Sequence, residues 1–149
     1  MSKPHRPLIG KAQWDAVEVL RYKQEGEAPF DCVTRQTLFD EPTLACQLRY
    51  FEVGAGGFST LERHEHSHAV LILNGSGRCL IGDRIYAVTT HDLLHIPALT
   101  WHQFRADAEA LGFLCMVNRE RDRPQLPGAE DLAALRAVSE VAAFIRPAT

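Results

Sequence analysis

Apolar residues along this chain come in short bursts, and each burst ends in residues that favour a turn. QLRYFEV, STLERH, HAVLIL, RCLI, RIYAV, LLHIP, HQFRA and LGFLCMV are each of strand length, and Gly-Ala-Gly-Gly, Asn-Gly-Ser-Gly, Gly-Asp and Asp-Ala-Glu separate them. Regular short strands of this kind predict a barrel or a sandwich. The period changes towards the end. From Glu130 to Ile145, the apolar residues Leu132, Leu135, Val138, Val141, Ala142 and Ile145 recur at three- and four-residue steps, which predicts one helix with a face to pack on the barrel, and Pro147 discourages its continuation. In the first 45 residues VTRQTLF reads as a strand, whereas KAQWDAVEVL fits helix and strand alike.

Composition narrows the class. A chain of 149 residues can bury a substantial core and is short for two ordinary domains. A formal charge of −3 with no basic stripe argues against nucleic acid as a partner. Neither a long apolar run nor a signal-peptide profile stands in the sequence, so the expectation is a cytoplasmic protein without a membrane partner. Cys32, Cys46, Cys79 and Cys115 have no CxxC spacing and are expected to be reduced thiols.

The chemistry concentrates in GGFSTLERHEHSHAVLILNG. Gly56 is followed after five residues by Glu62, one residue separates Glu62 from His64, three separate His64 from His68, and six lead on to Gly75. Glu62 and His64, two apart on a strand, share a face. Glu65, His66 and Ser67 then form a turn, and His68 opens the next strand, so that one carboxylate and two imidazoles are directed to a common point. A second register pairs His64 with His66, places Phe58 at the opening glycine, and leaves Ser67 alone to connect the strands.

This stretch resembles the first motif of the cupin superfamily, Gly, five residues, His-x-His, three or four residues, Glu, six residues, Gly, with the end types exchanged between Glu62 and His68. The second cupin motif, Gly, five residues, Pro-x-Gly, two residues, His, three residues, Asn, falls on His91, Pro97, Leu99, His102 and Ala106, of which Pro97 and His102 match in type. The resemblance runs from about Leu48 to Val117. It implies an all-β fold, a double-stranded β-helix or jelly-roll barrel of the small single-domain cupin 2 type, with the C-terminal helix added. In that arrangement residues 1–45 are an N-terminal extension packing on the barrel, 46–118 the barrel core and 119–149 a tail with the helix.

What the resemblance implies for function is a metal centre. Glu62, His64, His68 and His102 are its expected ligands, with His66 as an alternative ligand or a supporting residue. Phe58, Tyr86, Trp101 and Phe104 are expected to wall the pocket. Imidazole and carboxylate donors suit one divalent ion of iron, manganese, nickel, zinc or copper, and four protein donors leave an octahedral ion two adjacent positions for a small-molecule ligand or substrate. Small cupins of this kind act as dioxygenases, isomerases or lyases, and a dioxygenase is the leading expectation. A ligand-binding or sensor barrel is the alternative. A homodimer is expected as well, because an extension without an evident core needs a surface to cover, and strand edges need partners.

Overall fold

Period-two alternation converts most of the predicted bursts into antiparallel strands. The computed structural model describes residues 3–22 and 33–148; Cys32 lies outside them. Strands β1 (Leu8–Gly10), β2 (Gln13–Trp14), β3 (Leu20–Tyr22) and β4 (Val33–Phe39) precede β5 (Cys46–Val53), β6 (His68–Asn74), β7 (Ser76–Ile81) and β8 (Arg84–Thr89). β9 (Leu93–Ile96), β10 (His102–Ala106), β11 (Leu111–Asn118) and the helices α1 (Ala129–Arg136) and α2 (Ser139–Phe144) follow. KAQWDAVEVL, left open by its pattern, contributes only β2 and the start of β3, with turns at Ala12 and Ala16, both of positive φ.

Six strands make one sheet in the order β3-β4-β5-β11-β6-β9, and β10-β7-β8 make a second. The sheet that carries the barrel core therefore extends through β4 and β3, because β4 pairs with β5 from Val33↔Val53 to Phe39↔Leu48. Val53, Val70, Ile72, Cys79, Leu111 and Phe113 are buried together in the main core. Burying such side chains contributes about 1.5–3 kcal/mol each, which is what holds the sheets together.

The segment STLERH, expected as a strand, forms no continuous ladder with β10: the isolated bridge Glu62↔His102 and the Ser59 N–H to the Phe104 carbonyl connect them, with Phe58↔Arg105 just before. The physical cause is Ser59, whose Oγ accepts the Phe104 N–H at 2.8 Å and so takes a position that a backbone carbonyl would fill in a regular ladder. The predicted single helix is also two. Val138 adopts an extended backbone (φ −95°, ψ 114°) between α1 and α2, which swings Val141 and Phe144 onto Leu61 and Leu80 in a second buried cluster with Leu135 and Ile145. Gln103, fully buried, ties this end down: its amide donates to the carbonyls of Ser59 and Arg146, and its Oε1 accepts the Arg146 N–H.

His91 and Leu99 stand where the second motif has glycine, and both keep the left-handed backbone that glycine favours, with φ of 75° and 54°. The turns are thus retained at the expense of strain of about 1–2 kcal/mol per residue. Replacing the exposed His91 by glycine is expected to raise stability by about 0.5–1 kcal/mol. The reverse change at Gly75 (φ 77°) should cost about 2–4 kcal/mol, since a Cβ there would lie 2.1 Å from the Ala110 carbonyl oxygen. Urea unfolding of His91→Gly and Gly75→Ala checks both signs.

Candidate metal centre

Which side chains meet between the sheets follows from register. On β11, Phe113 and Cys115 lie opposite Phe51 and Arg49 of β5. Cys115 also lies opposite Val70 of β6, which puts His68, two residues earlier, on the same face. Phe51 lies opposite Arg35 of β4, so Arg35 and Val33 share that face too. From the second sheet, His102 and Phe104 project inward from β10, while Gln103 turns to the C-terminal tail. The result is a cavity of about 180 Å³ walled by both sheets.

The imidazoles of His64, His68 and His102 each offer a ring nitrogen, and these nitrogens lie within 4.8 Å of one another. His64 and His102 are almost fully buried (2% and 4% exposed). Their tautomers are set by backbone: His64 Nδ1 donates to the His66 carbonyl at 2.6 Å and His102 Nδ1 to the Thr100 carbonyl at 2.9 Å. A neutral ring that donates through Nδ1 keeps a bare lone pair on Nε2. Burial also disfavours the charged rings, lowering His102 to about 4 and, with neighbouring imidazoles adding to the effect, His68 to about 2. His64 Nε2 and His68 Nε2 face each other at 2.6 Å. Two bare lone pairs so close repel unless a proton or a cation lies between them, and a divalent ion satisfies all three nitrogens at once. The donor set therefore fits a transition metal.

Glu62 lines the same cavity, and its Oε2 is buried without a hydrogen-bond partner. Burial lifts its carboxyl to about 7, with Arg49 pulling the other way. Such an orphaned oxygen fits a carboxylate ligand, although the mutually close group comprises the three histidines alone. His66 lines the cavity beside them. Its ring stacks on His64 with centroids 3.8 Å apart, and its Nδ1 pairs with Asp122 Oδ1 at 2.7 Å. Asp122 also accepts the backbone N–H groups of Glu65 and His66, so it fixes the turn between His64 and His68.

Of the expected pocket aromatics, Phe104 lines the cavity. Trp101 does not: adjacent to His102 on an alternating backbone, it faces away, packs with the helical cluster and lies under the Arg63 guanidinium. Tyr86 on β8 is 43% exposed. Phe58 sits half-buried opposite Arg105, outside the cavity lining.

Residues that the spacing argument did not single out complete the cavity. Cys115 is buried with its Sγ 2.8 Å from His68 Nδ1 and 3.7 Å from an Arg49 guanidinium nitrogen. Burial raises the thiol pKa, and Arg49 opposes that shift. Arg35, Arg49 and Arg121 line the cavity as well. A signal for the first two was present, since each interrupts a strand at a position of the same parity as apolar inward residues.

Residues 49–117 match the Cupin domain family, and the chain belongs to the cupins, as a barrel of jelly-roll type. It is 58% identical over 144 residues, 96% of this chain and 92% of the other, to a Rhodospirillum rubrum protein named 1-methylthio-D-xylulose 5-phosphate methylsulfurylase. The crystal structure of a cupin 2 conserved barrel domain protein from Rhodopseudomonas palustris superposes with a TM-score of 0.91 at 57% identity, covering 95% of this chain and 99% of that one. A cupin-2 domain from Rhodospirillum rubrum gives a TM-score of 0.85, also at 57% identity, with 95% and 96% covered.

Proposed function

We propose that this cupin is a metal-dependent enzyme that removes the methylthio group from a 1-methylthio ketose phosphate, the substrate class in the name of its Rhodospirillum rubrum relative. The observation that carries the reading is Cys115, a thiol in the cavity wall 2.8 Å from a histidine of the metal-binding group. A methylthio group beside a ketone leaves when a sulfur nucleophile attacks its sulfur. Cys115 Sγ forms a bond to that sulfur, the carbon–sulfur bond breaks, and its electron pair passes to the former C1 and is delocalised into the C2 carbonyl as an enolate. Protonation at C1 gives the 1-deoxy ketose. The methyl disulfide left on Cys115 is released by a small-molecule thiol, which takes the methylthio group as a mixed disulfide and restores the thiol.

His64, His68 and His102, with Glu62 as fourth donor, would hold the metal, which supplies Lewis-acid polarisation of the substrate oxygens. With its Nε2 turned to that group, His68 carries its remaining proton on Nδ1 and donates it to Cys115 Sγ, so the same ring stabilises the thiolate. The Arg49 guanidinium adds its charge to that stabilisation. Phe51, Phe104 and Phe113 keep water from the enolate carbon.

The test is to incubate metal-loaded protein with 1-methylthioxylulose 5-phosphate and a small thiol and to follow the 1-deoxy sugar and dissolved oxygen together. Deoxy product with constant oxygen is the expected result. Oxygen consumption that vanishes in His102→Ala would instead favour the dioxygenase reading, and ligand binding with neither change would favour a sensor. The fold also supports a homodimer. Leu8 and Ile9 on β1 are 61% and 64% exposed, an apolar edge that a second copy would cover. Light scattering that returns the mass of one chain would overturn it.

A further inference from the structure

We infer that Arg35, Arg49 and Arg121 form a phosphate-binding subsite at the end of the cavity away from the histidines. The inference rests on the sulfur-removal reading and assigns the residues that select a phosphorylated substrate. Its geometry comes from strand order. His68 lies on β6, Cys115 on β11, Arg49 on β5 and Arg35 on β4, four successive neighbours in one sheet, with all four side chains on the cavity face. Neighbouring strands are about 4.8 Å apart, so imidazole, thiol and two guanidinium groups form a row across the cavity floor. Arg121, just past the end of β11, adds a third guanidinium from the exposed rim.

Three guanidinium groups held together are unfavourable unless an anion joins them, and the carboxylates that act on them, Glu62 on Arg49 and Asp40 on Arg121, do so through space. Of the nearby carboxylates, Asp40 is paired with Arg119 and Asp122 with His66. Arg49 is only 8% exposed, its guanidinium lies over the Phe51 ring, and the Nε atoms of both Arg35 and Arg49 are buried without a hydrogen-bond partner. Arg121 spends Nη1 on the Asn118 and Arg119 carbonyls, which fixes its stem and leaves its other edge for a ligand. Its pKa is lowered, first by burial and then by Arg49 and Arg35, so the three charges act on one another. A tetrahedral dianion that accepts from several forked donors is the ligand such a cluster fits. With the phosphate held there, an extended five-carbon chain carries its opposite end along the row towards Cys115 and the histidines. Arg49, between Arg35 and Cys115 in this row and 3.7 Å from the Cys115 Sγ, couples anion binding to the thiolate.

The experiment uses metal-loaded full-length protein. Inorganic phosphate titrated by calorimetry is the probe for the subsite alone, and KM and kcat for 1-methylthioxylulose 5-phosphate are read in parallel. Arg35→Gln and Arg121→Gln are each expected to weaken phosphate binding and raise KM by about 10–100-fold, with a smaller change in kcat and partial rescue in Arg35→Lys. If Arg35→Gln does not fold, the rim variant Arg121→Gln carries the decision. Phosphate affinity and KM unchanged in the folded glutamine variants would overturn the subsite while leaving sulfur removal intact. Arginine-dependent phosphate binding in wild-type protein that does not release the methylthio group would sustain the subsite and sink the activity. Equal turnover of the substrate lacking its phosphate would also overturn it.

Discussion

Cys115→Ser is expected to abolish release of the methylthio group, lowering kcat by on the order of 10³-fold or more, while metal content and fold are kept. Serine fills nearly the same space beside His68 and Arg49, so the buried wall changes little. An alcohol at this position, however, is a weak acid and a poor nucleophile towards sulfur, and the step needs a thiolate. Burial raises the thiol pKa, so the groups that oppose it are necessary: Arg49 first and Arg121 after it favour the charged form, and His68 Nδ1 stands 2.8 Å from the Sγ. A second signature separates this role from packing. Wild-type protein mixed with substrate in the absence of any small thiol should gain the mass of one methylthio group on Cys115, and added thiol should remove it. A serine variant that turns over within about tenfold of wild type would end the nucleophile assignment.

His102→Ala is expected to reduce metal affinity by more than about 100-fold and to abolish turnover with it. The residue is buried, its Nδ1 is held by the Thr100 carbonyl, and β10 fixes its backbone by pairing with β7. Losing a direct ligand should exceed the about 10–100-fold that loss of an outer partner costs. His66→Ala belongs to that milder class, because its backbone carbonyl, which the substitution retains, holds His64, and its side chain adds only stacking and the Asp122 contact. Metal analysis after dialysis separates the cases. Abolished binding in His66→Ala, with retention in Glu62→Ala, would instead select the register that pairs His64 with His66.

The local pattern carried much of the fold. Hydrophobic alternation and turn residues are properties of a few consecutive positions, and β4 to β11 appear where those bursts stand, with Gly56 and Gly75 in the left-handed conformations their turns require. Even His91 and Leu99, which lack glycine's freedom, hold the same backbone, because the flanking pairing dictates it: His91 N–H donates to the Ile72 carbonyl and Leu99 N–H to the His64 carbonyl. Where a local pattern misled, a tertiary contact had intervened. Ser59 Oγ displaced a ladder bond on β10, and the buried cluster around Leu61 and Leu80 drew Val141 and Phe144 away from one continuous helix.

The site divides the same way. The spacing from Glu62 to His68 lies within one turn and its flanks, so the chemistry of an imidazole and carboxylate centre was readable from the chain alone. Which face of each strand turns inward is not a local property, since a period of two is satisfied equally by either face until a neighbour covers one. That choice sent Trp101 and Tyr86 away from the cavity and brought Phe104 to it. Nor could spacing join Arg35, Arg49, Cys115 and His68, which are separated by as many as 80 positions in the chain and become neighbours only through the register of β4, β5, β11 and β6. The sequence by itself determined most of the strands and singled out the imidazoles that meet in the cavity; the tertiary structure decided that a thiol and a row of arginines face them, because cross-strand contact depends on sheet order and not on distance along the chain.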